Sequence, residues 1–241
     1  IADRLAAGAP VADLRDLRGV AYLLGRTATL PPWEGAATAA LPSFEQVRDD
    51  QAAFVRATRE FHHETSPWNA RRLTQDHGDR TLVINPPCLP VTTEEMDAIY
   101  DLPYRRRPHP RYTEPIPAFT TIRGSVQIVR GCFGGCTFCS ITMHEGRTVQ
   151  GRSRDSILRE VTSIAADPDF KGTISDLGGP TANMYRMRCT KPEVEAKCRR
   201  LSCIHPTVCK LLGTDHGPLI DVMRDARNVR GVKRVHIASG I

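Results

Sequence analysis

The chain has 241 residues, 40% of them hydrophobic and 25% charged, with a formal net charge of +6 and eight cysteines. That length buries a real core in one large domain or two small ones, and the composition is ordinary for a globular protein. It excludes a membrane span, because no stretch reaches the ~20 apolar residues required, and no charged-then-apolar leader opens the chain. The mild basic excess, carried mostly by arginine, suits an anionic partner such as RNA without requiring one.

In chain order, Ile1 to Ala7 reads as a helix closed by Gly8, and Val20–Leu24 as a strand before Gly25, apolar enough to be buried on both faces. Thr27–Pro42, rich in Pro, Ala and Thr, reads as loop. Ser43 caps a helix running to about Glu60, with Phe44, Val47, Phe54 and Val55 on its apolar face. His62–Arg80 has no clear period. Its adjacent His62 and His63 point in divergent directions on any regular element, which disfavours a shared metal. Thr81–Ile84 is a short strand, and Thr92 with Glu95 matches a capping box for a helix to Tyr100. Leu102–Pro117, rich in proline and carrying Arg105, Arg106 and Arg107, is an extended connector whose arginines read first as a solvated face.

From Ser125 the pattern changes. Val126, Ile128 and Val129 form a strand that ends in a Gly-rich loop holding Cys132, Cys136 and Cys139. Ser153 caps a helix to about Ala166, Gly172–Leu177 is a second strand, Leu219–Arg227 a helix, and Val232–Ile237 a third strand ending at Ser239-Gly240. Such alternation indicates a parallel α/β sheet or barrel, where chemistry gathers at the carboxyl ends of strands. The cysteine loop, Gly178-Gly179 and Ser239-Gly240 then share one edge. The expected organisation is an N-terminal α/β remnant (1–60), a Pro-rich connector (61–120) and a core (121–241). The chain opens at Ile1 in mid-helix and stops at Ile241 just past a strand, so it reads as a fragment lacking both termini.

Disulfide frameworks belong to small domains, so eight cysteines in a chain of this size point elsewhere. Their clustering at Cys132–Cys139 and Cys189–Cys209 indicates metal or iron–sulfur ligation in a reducing compartment, hence the cytoplasm. Cys88 reads as a small buried hydrophobe. Three thiols on one loop leave one corner of a tetrahedral or cubane site open, as catalysis needs. A structural zinc site would need a fourth ligand, for which His144 stands nearby in sequence. Cys189, Cys198, Cys203 and Cys209 form a second candidate metal set of uncommon spacing, with His205 and His216 as substitute ligands.

Cys132-x-x-x-Cys136-x-x-Cys139, with Phe138 before the third cysteine, resembles the cluster loop of the radical S-adenosylmethionine (SAM) enzymes. Longer runs resemble the YgiQ-type members of that superfamily, a bacterial group of uncharacterised role. These are Arg130–Cys136, Ile174–Tyr185, Cys203–Pro206, Thr214–His216, His77–Arg80 and Asn85–Pro87. The resemblance implies the first part of a radical SAM partial (β/α) barrel, preceded by the tail of a cobalamin-binding-like α/β domain. It implies a 4Fe–4S cluster on Cys132, Cys136 and Cys139, whose free iron binds SAM and whose electron generates a 5′-deoxyadenosyl radical. Phe138 would pack near the adenine. Gly178, Gly179, Pro180 and Thr181 occupy the place of the family's Gly-Gly-Glu motif, with proline in place of the acid. Further implications are a flavodoxin or ferredoxin as electron donor, and an auxiliary iron–sulfur cluster or zinc at the second cysteine set. The substrate stays unnamed, RNA among its candidates. A reading from a different class is a non-catalytic zinc- or cluster-stabilised module that binds RNA through its arginines.

Overall fold

A computed structural model describes residues 1–34, 37–179 and 183–238 and divides the chain into two units. The first unit comprises Ile1–Leu89 with Lys191–Leu201, the second Pro90–Thr190 with Ser202–Ile241.

In the first unit, α1 (Ala2–Ala6) and a 3-10 turn (Val11–Asp16) lead into β1 (Ala21–Gly25). β2 (Thr38–Ala40) falls inside the stretch expected to be loop. The single helix expected after Ser43 is two. Ser43 caps α2 (Phe44–Asp49) in a capping box with Gln46, and extended Asp50 caps α3 (Gln51–His63) through the backbone N–H groups of Ala52 and Ala53. An acid with a free carboxylate can serve as a new N-cap, so the chain restarts there instead of continuing. The expected apolar face is also corrected. Phe44, Phe54 and Val55 are exposed, and Ala53 and Ala57 are the buried residues of α3, because small side chains allow closer packing. Phe44 instead stacks on His77, with ring centroids 5.0 Å apart.

β3 (Arg72–His77) and β4 (Arg80–Ile84) complete a four-stranded sheet in the order β1-β4-β3-β2, antiparallel except for the β2–β3 pair. β1 is therefore an edge strand with only Leu24 buried, and not the doubly covered strand its composition suggested. Glu64, at the end of α3, is fully shielded. It accepts from the Arg71 backbone N–H and pairs with the Arg71 and Arg199 guanidinium groups. Burial alone would raise its carboxyl pKa, but these donors together hold it below the ordinary range. Cys88 is exposed, its thiol donating to the Arg18 carbonyl, which corrects the expectation of a buried hydrophobe.

The second unit opens with α4 (Thr93–Tyr100), capped by the expected Thr92–Glu95 box, and the connector leads to α5 (Pro117–Ile122). The first strand of the core is β5 (Ser125–Gln127) continued by β6 (Val129–Arg130); α6 (Ile141–Glu145) and β7 (Gln150–Gly151) follow. Then come α7 (Arg154–Ala165), capped by Ser153, and a second strand in two pieces, β8 (Thr173–Ile174) and β9 (Asp176–Gly178). After α8 (Pro192–Glu195), which belongs to the first unit, α9 (Gly217–Asn228) leads to β10 (Arg234–Val235).

β9 pairs parallel with β5, and β8 parallel with β10, so the second strand lies between the first and the third. Bonds outside the strands proper extend this ladder: Ile128 N–H to Gly178 O, and Leu177 N–H to His236 O. Parallel pairing places the carboxyl ends of all three on one edge, as the alternation implied. Val126, Ile128, Ile174 and Leu177 bury one face under Ile157, Val161 and Ile164 of α7 and Leu219, Val222 and Ala226 of α9. Beside this core lies buried Arg152, paired with Glu160, bonded to Ser156 and the Gln127 carbonyl, and stacked 4.1 Å over the Tyr100 ring. Burial raises the Tyr100 hydroxyl pKa, partly offset by Arg130 and Arg152.

The arginine run is not a plain solvated face. Arg106 pairs with Glu160 and donates to the Arg123 and Ser125 carbonyls, and Arg107 bridges Asp167 and Asp169. The run fastens the connector to the turn after α7.

Candidate functional site: a thiol loop at the carboxyl edge

The first parallel strand leaves the sheet at Arg130 and turns through Gly131, whose φ of +87° favours glycine. A side chain there would also collide with the Thr148 carbonyl. The pairing of β6 with β7, and the bond from Cys132 N–H to Gly146 O, bring both ends of the loop together. The local sequence explains this: glycines at both ends permit the turns, and the β6 ladder fixes their spacing.

Cys132 is buried at the root of the loop with Phe133, packed against Met184 and Met187. Gly134 donates its N–H to the Cys132 sulfur at 3.3 Å. A Cβ at Gly134 would stand 3.2 Å from the Cys132 Sγ and 3.7 Å from the Cys136 Sγ, so these two thiols flank one bare backbone position. Cys136 is exposed and Cys139 half-buried, and the Cys139 N–H bonds the Cys136 carbonyl at 3.1 Å. Phe138 is 92% exposed.

Among the described residues, no group of three or more His, Cys, Asp or Glu side chains lies close enough together to hold a metal ion. The donor chemistry of the loop nevertheless fits an iron–sulfur cluster. It has three free thiols, a backbone N–H already on one sulfur, and no side chain between two of them. His144 lies on α6 and lines a cleft of about 1050 Å³ with Tyr100, Arg130 and Gln150.

Gly178 and Gly179 are buried where the second strand ends, with the Gly178 carbonyl accepting from Ile128. Pro180 and Thr181, the other two expected SAM contacts, lie outside the described residues, as do Ser239 and Gly240. The second cysteine set is distributed. Cys198 falls in the segment of the first unit, where its carbonyl accepts from Asn69. Cys189 bridges to Leu212, and the Cys209 N–H bonds the Cys203 carbonyl, in the second unit. Cys203 also donates its N–H to the Phe133 carbonyl and packs against the Cys132 cluster.

Sequence reasoning missed Ser202 and the methionine pair. Ser202 is buried, donates its hydroxyl to the Gly134 carbonyl at 2.6 Å, and accepts from the backbone N–H groups of Ile204 and His205. No local signal distinguishes it from other loop serines.

The family described as Radical SAM N-terminal matches residues 1–125. The chain belongs to that family. A UPF0313 protein of Bradyrhizobium diazoefficiens is 50% identical over 258 residues, spanning 100% of this chain and 38% of that protein. UPF0313 proteins YgiQ of Salmonella typhimurium and Escherichia coli K12 are each 54% identical over 212 residues, spanning 87% of this chain and 29% of theirs. The latter two carry the name of the YgiQ type that the sequence runs resemble. The chain thus spans well under half the length of the curated relatives it matches. The family match ends at residue 125, before the cysteine loop. Among the described residues, no helix is long and apolar enough to cross a membrane.

Proposed function

We propose that this chain carries the cluster-binding part of a radical SAM enzyme, with a 4Fe–4S cluster held by Cys132, Cys136 and Cys139. The observation that carries the reading is the siting of the thiol loop. It closes from the first of three parallel strands, at their shared carboxyl edge, with Cys132 and Cys136 flanking side-chain-free Gly134. When bound, such a cluster supplies the electron that cleaves SAM to methionine and a 5′-deoxyadenosyl radical.

The chain's own residues do the rest. The Gly134 N–H on the Cys132 sulfur stabilises thiolate charge, and the burial of Cys132 under Phe133, Met184 and Met187 keeps water from that side. Gly178 and Gly179 offer backbone to SAM without side-chain obstruction, and exposed Phe138 offers a ring face to adenine. A small reductase partner of the flavodoxin or ferredoxin class would deliver the electron. The rival RNA-binding reading loses support, because Arg106 and Arg107 are already engaged with Glu160, Asp167 and Asp169.

Anaerobic reconstitution with iron and sulfide tests the proposal. The expected product is brown protein whose reduced-cluster electron paramagnetic resonance changes on adding SAM, with both features lost in Cys136→Ala. Colourless protein binding stoichiometric zinc would sink it.

A further inference from the structure

The peptide groups on either side of Gly134 are held by one distant segment, 202–205, to which the chemistry above gives no role. The Cys203 N–H donates to the Phe133 carbonyl at 3.0 Å. The Ser202 hydroxyl, 68 positions along the chain from Gly134, donates to the Gly134 carbonyl at 2.6 Å. Ser202 is buried and saturated in doing so. A hydroxyl carries one donor and two acceptor sites, and the acceptor sites take the backbone N–H groups of Ile204 and His205 at 3.1 and 2.9 Å. The segment is itself tied down, because the Cys209 N–H donates to the Cys203 carbonyl at 2.7 Å. Ile204 closes it over the loop: its Cδ1 stands 3.9 Å from where a Cβ at Gly134 would lie.

These bonds form a line. The Phe133 carbonyl and the Gly134 N–H belong to one peptide group. The Cys203 N–H therefore grips the acceptor end of the group whose donor end lies on the Cys132 sulfur at 3.3 Å. A carbonyl that accepts a hydrogen bond makes the N–H of its own peptide a stronger donor. Glycine holds its backbone orientation least firmly of all residues, and the Ser202 bond fixes the next peptide group as well. Gly134 cannot turn its N–H off the sulfur without breaking one of these two bonds. All of the partners lie in the second unit.

The line ends on a sulfur proposed as a cluster ligand. An added electron makes the charge on such sulfurs more negative, and an N–H donated to one of them favours that reduced state, which raises the reduction potential. We infer that Ser202 is a positioning residue: together with the Cys203 N–H it aims the Gly134 N–H at the Cys132 sulfur and so raises the reduction potential of the cluster. The inference rests on the proposed function. It brings the second cysteine stretch into the site through backbone donation, independently of the Cys203 thiol.

The test uses the full-length protein, reconstituted anaerobically with iron and sulfide, and reads the cluster's midpoint potential by electron paramagnetic resonance during a redox titration. Ser202→Ala is expected to keep the parent's iron content and to lower the potential. At the parent's midpoint the ratio of reduced to oxidised cluster should fall about 3- to 10-fold, the upper figure being about 59 mV for a one-electron couple. Cys203→Ser keeps its N–H and should match the parent. A fall there equal to that of Ser202→Ala would place the effect in the thiol and overturn the inference. So would Ser202→Ala with full iron and the parent's potential, and either outcome leaves the proposed function standing. If the alanine variant fails to hold iron, hydrogen exchange in the metal-free parent carries the test, resolved by mass spectrometry of the loop peptide. Relative to its intrinsic rate, the Gly134 N–H should exchange at least about tenfold more slowly than that of exposed Thr137; equal protection would overturn the inference. A parent protein that takes up no iron would overturn the proposed function itself.

Discussion

The two edges of the parallel sheet in the second unit are built on opposite principles. At the amino edge charges meet partners. Arg123 donates to the Asp169 carbonyl, Arg107 bridges Asp169 and Asp167, and Arg106 ties Glu160 to the backbone at Arg123 and Ser125. Asp169 and Asp167 together raise the Arg107 pKa further above its ordinary value. At the carboxyl edge the backbone is fastened, through Gly131, Gly134 and Ser202, while the three thiols of the loop form no disulfide and Gly134 leaves a bare backbone position between two of them. Satisfied polar groups stabilise a fold, whereas open ones are held in place at a cost to stability that a ligand offsets. The contrast separates the edge that closes the structure from the edge proposed to bind.

Four substitutions sharpen or break that contrast. Gly131→Ala should have the largest effect, about 4 kcal/mol from the strained φ and the collision with Thr148 together, and iron uptake on reconstitution should fall with it. A variant that unfolds in urea like the parent would show that the loop is not fixed from this point. Arg152→Met removes the buried arginine paired with Glu160, leaving half-exposed Arg106, and should cost about 3 kcal/mol, read from the urea midpoint.

Glu64 shows the same saturation in the first unit. Its two arginines are half-exposed, so Glu64→Gln should cost about 2 kcal/mol at neutral pH, low for a shielded pair. A carboxyl held below its ordinary pKa of 4.5 contributes stability above that value and loses it as the pH falls through its lower folded value. The melting temperatures of parent and variant should therefore converge on acidification below pH 4.5; a constant gap would deny the carboxylate this role. Arg107→Ala should matter least, leaving Tm within about 2 °C of the parent and the iron content unchanged. A loss of iron there would show that the two edges are not independent.

Much of this was legible where the signal is local. Ser43, Thr92 and Ser153 were readable as caps because a cap is a side chain meeting its own backbone a few residues on. The strand–helix–strand order after Ser125 was readable from apolar runs, and the cysteine spacing from simple inspection. The strand Arg72–His77 was not, because its buried positions include Arg72, made tolerable by Thr38 and the Pro31 carbonyl far away in sequence. The apolar face assigned to Phe44, Phe54 and Val55 failed for the converse reason. Periodicity gives a face but not which face is covered.

The sequence by itself determined which chemistry this protein could hold: three thiols in one glycine-rich loop, two glycines after the next strand, and runs shared with YgiQ-type relatives. These are properties of covalent neighbours, fixed before any folding. Only the tertiary structure decided that Gly178 lies in register with Gln127 and that Met184 covers Cys132. Each of these depends on strands and loops distant in sequence meeting at one edge, and the energies that bring them there come from the whole core beneath.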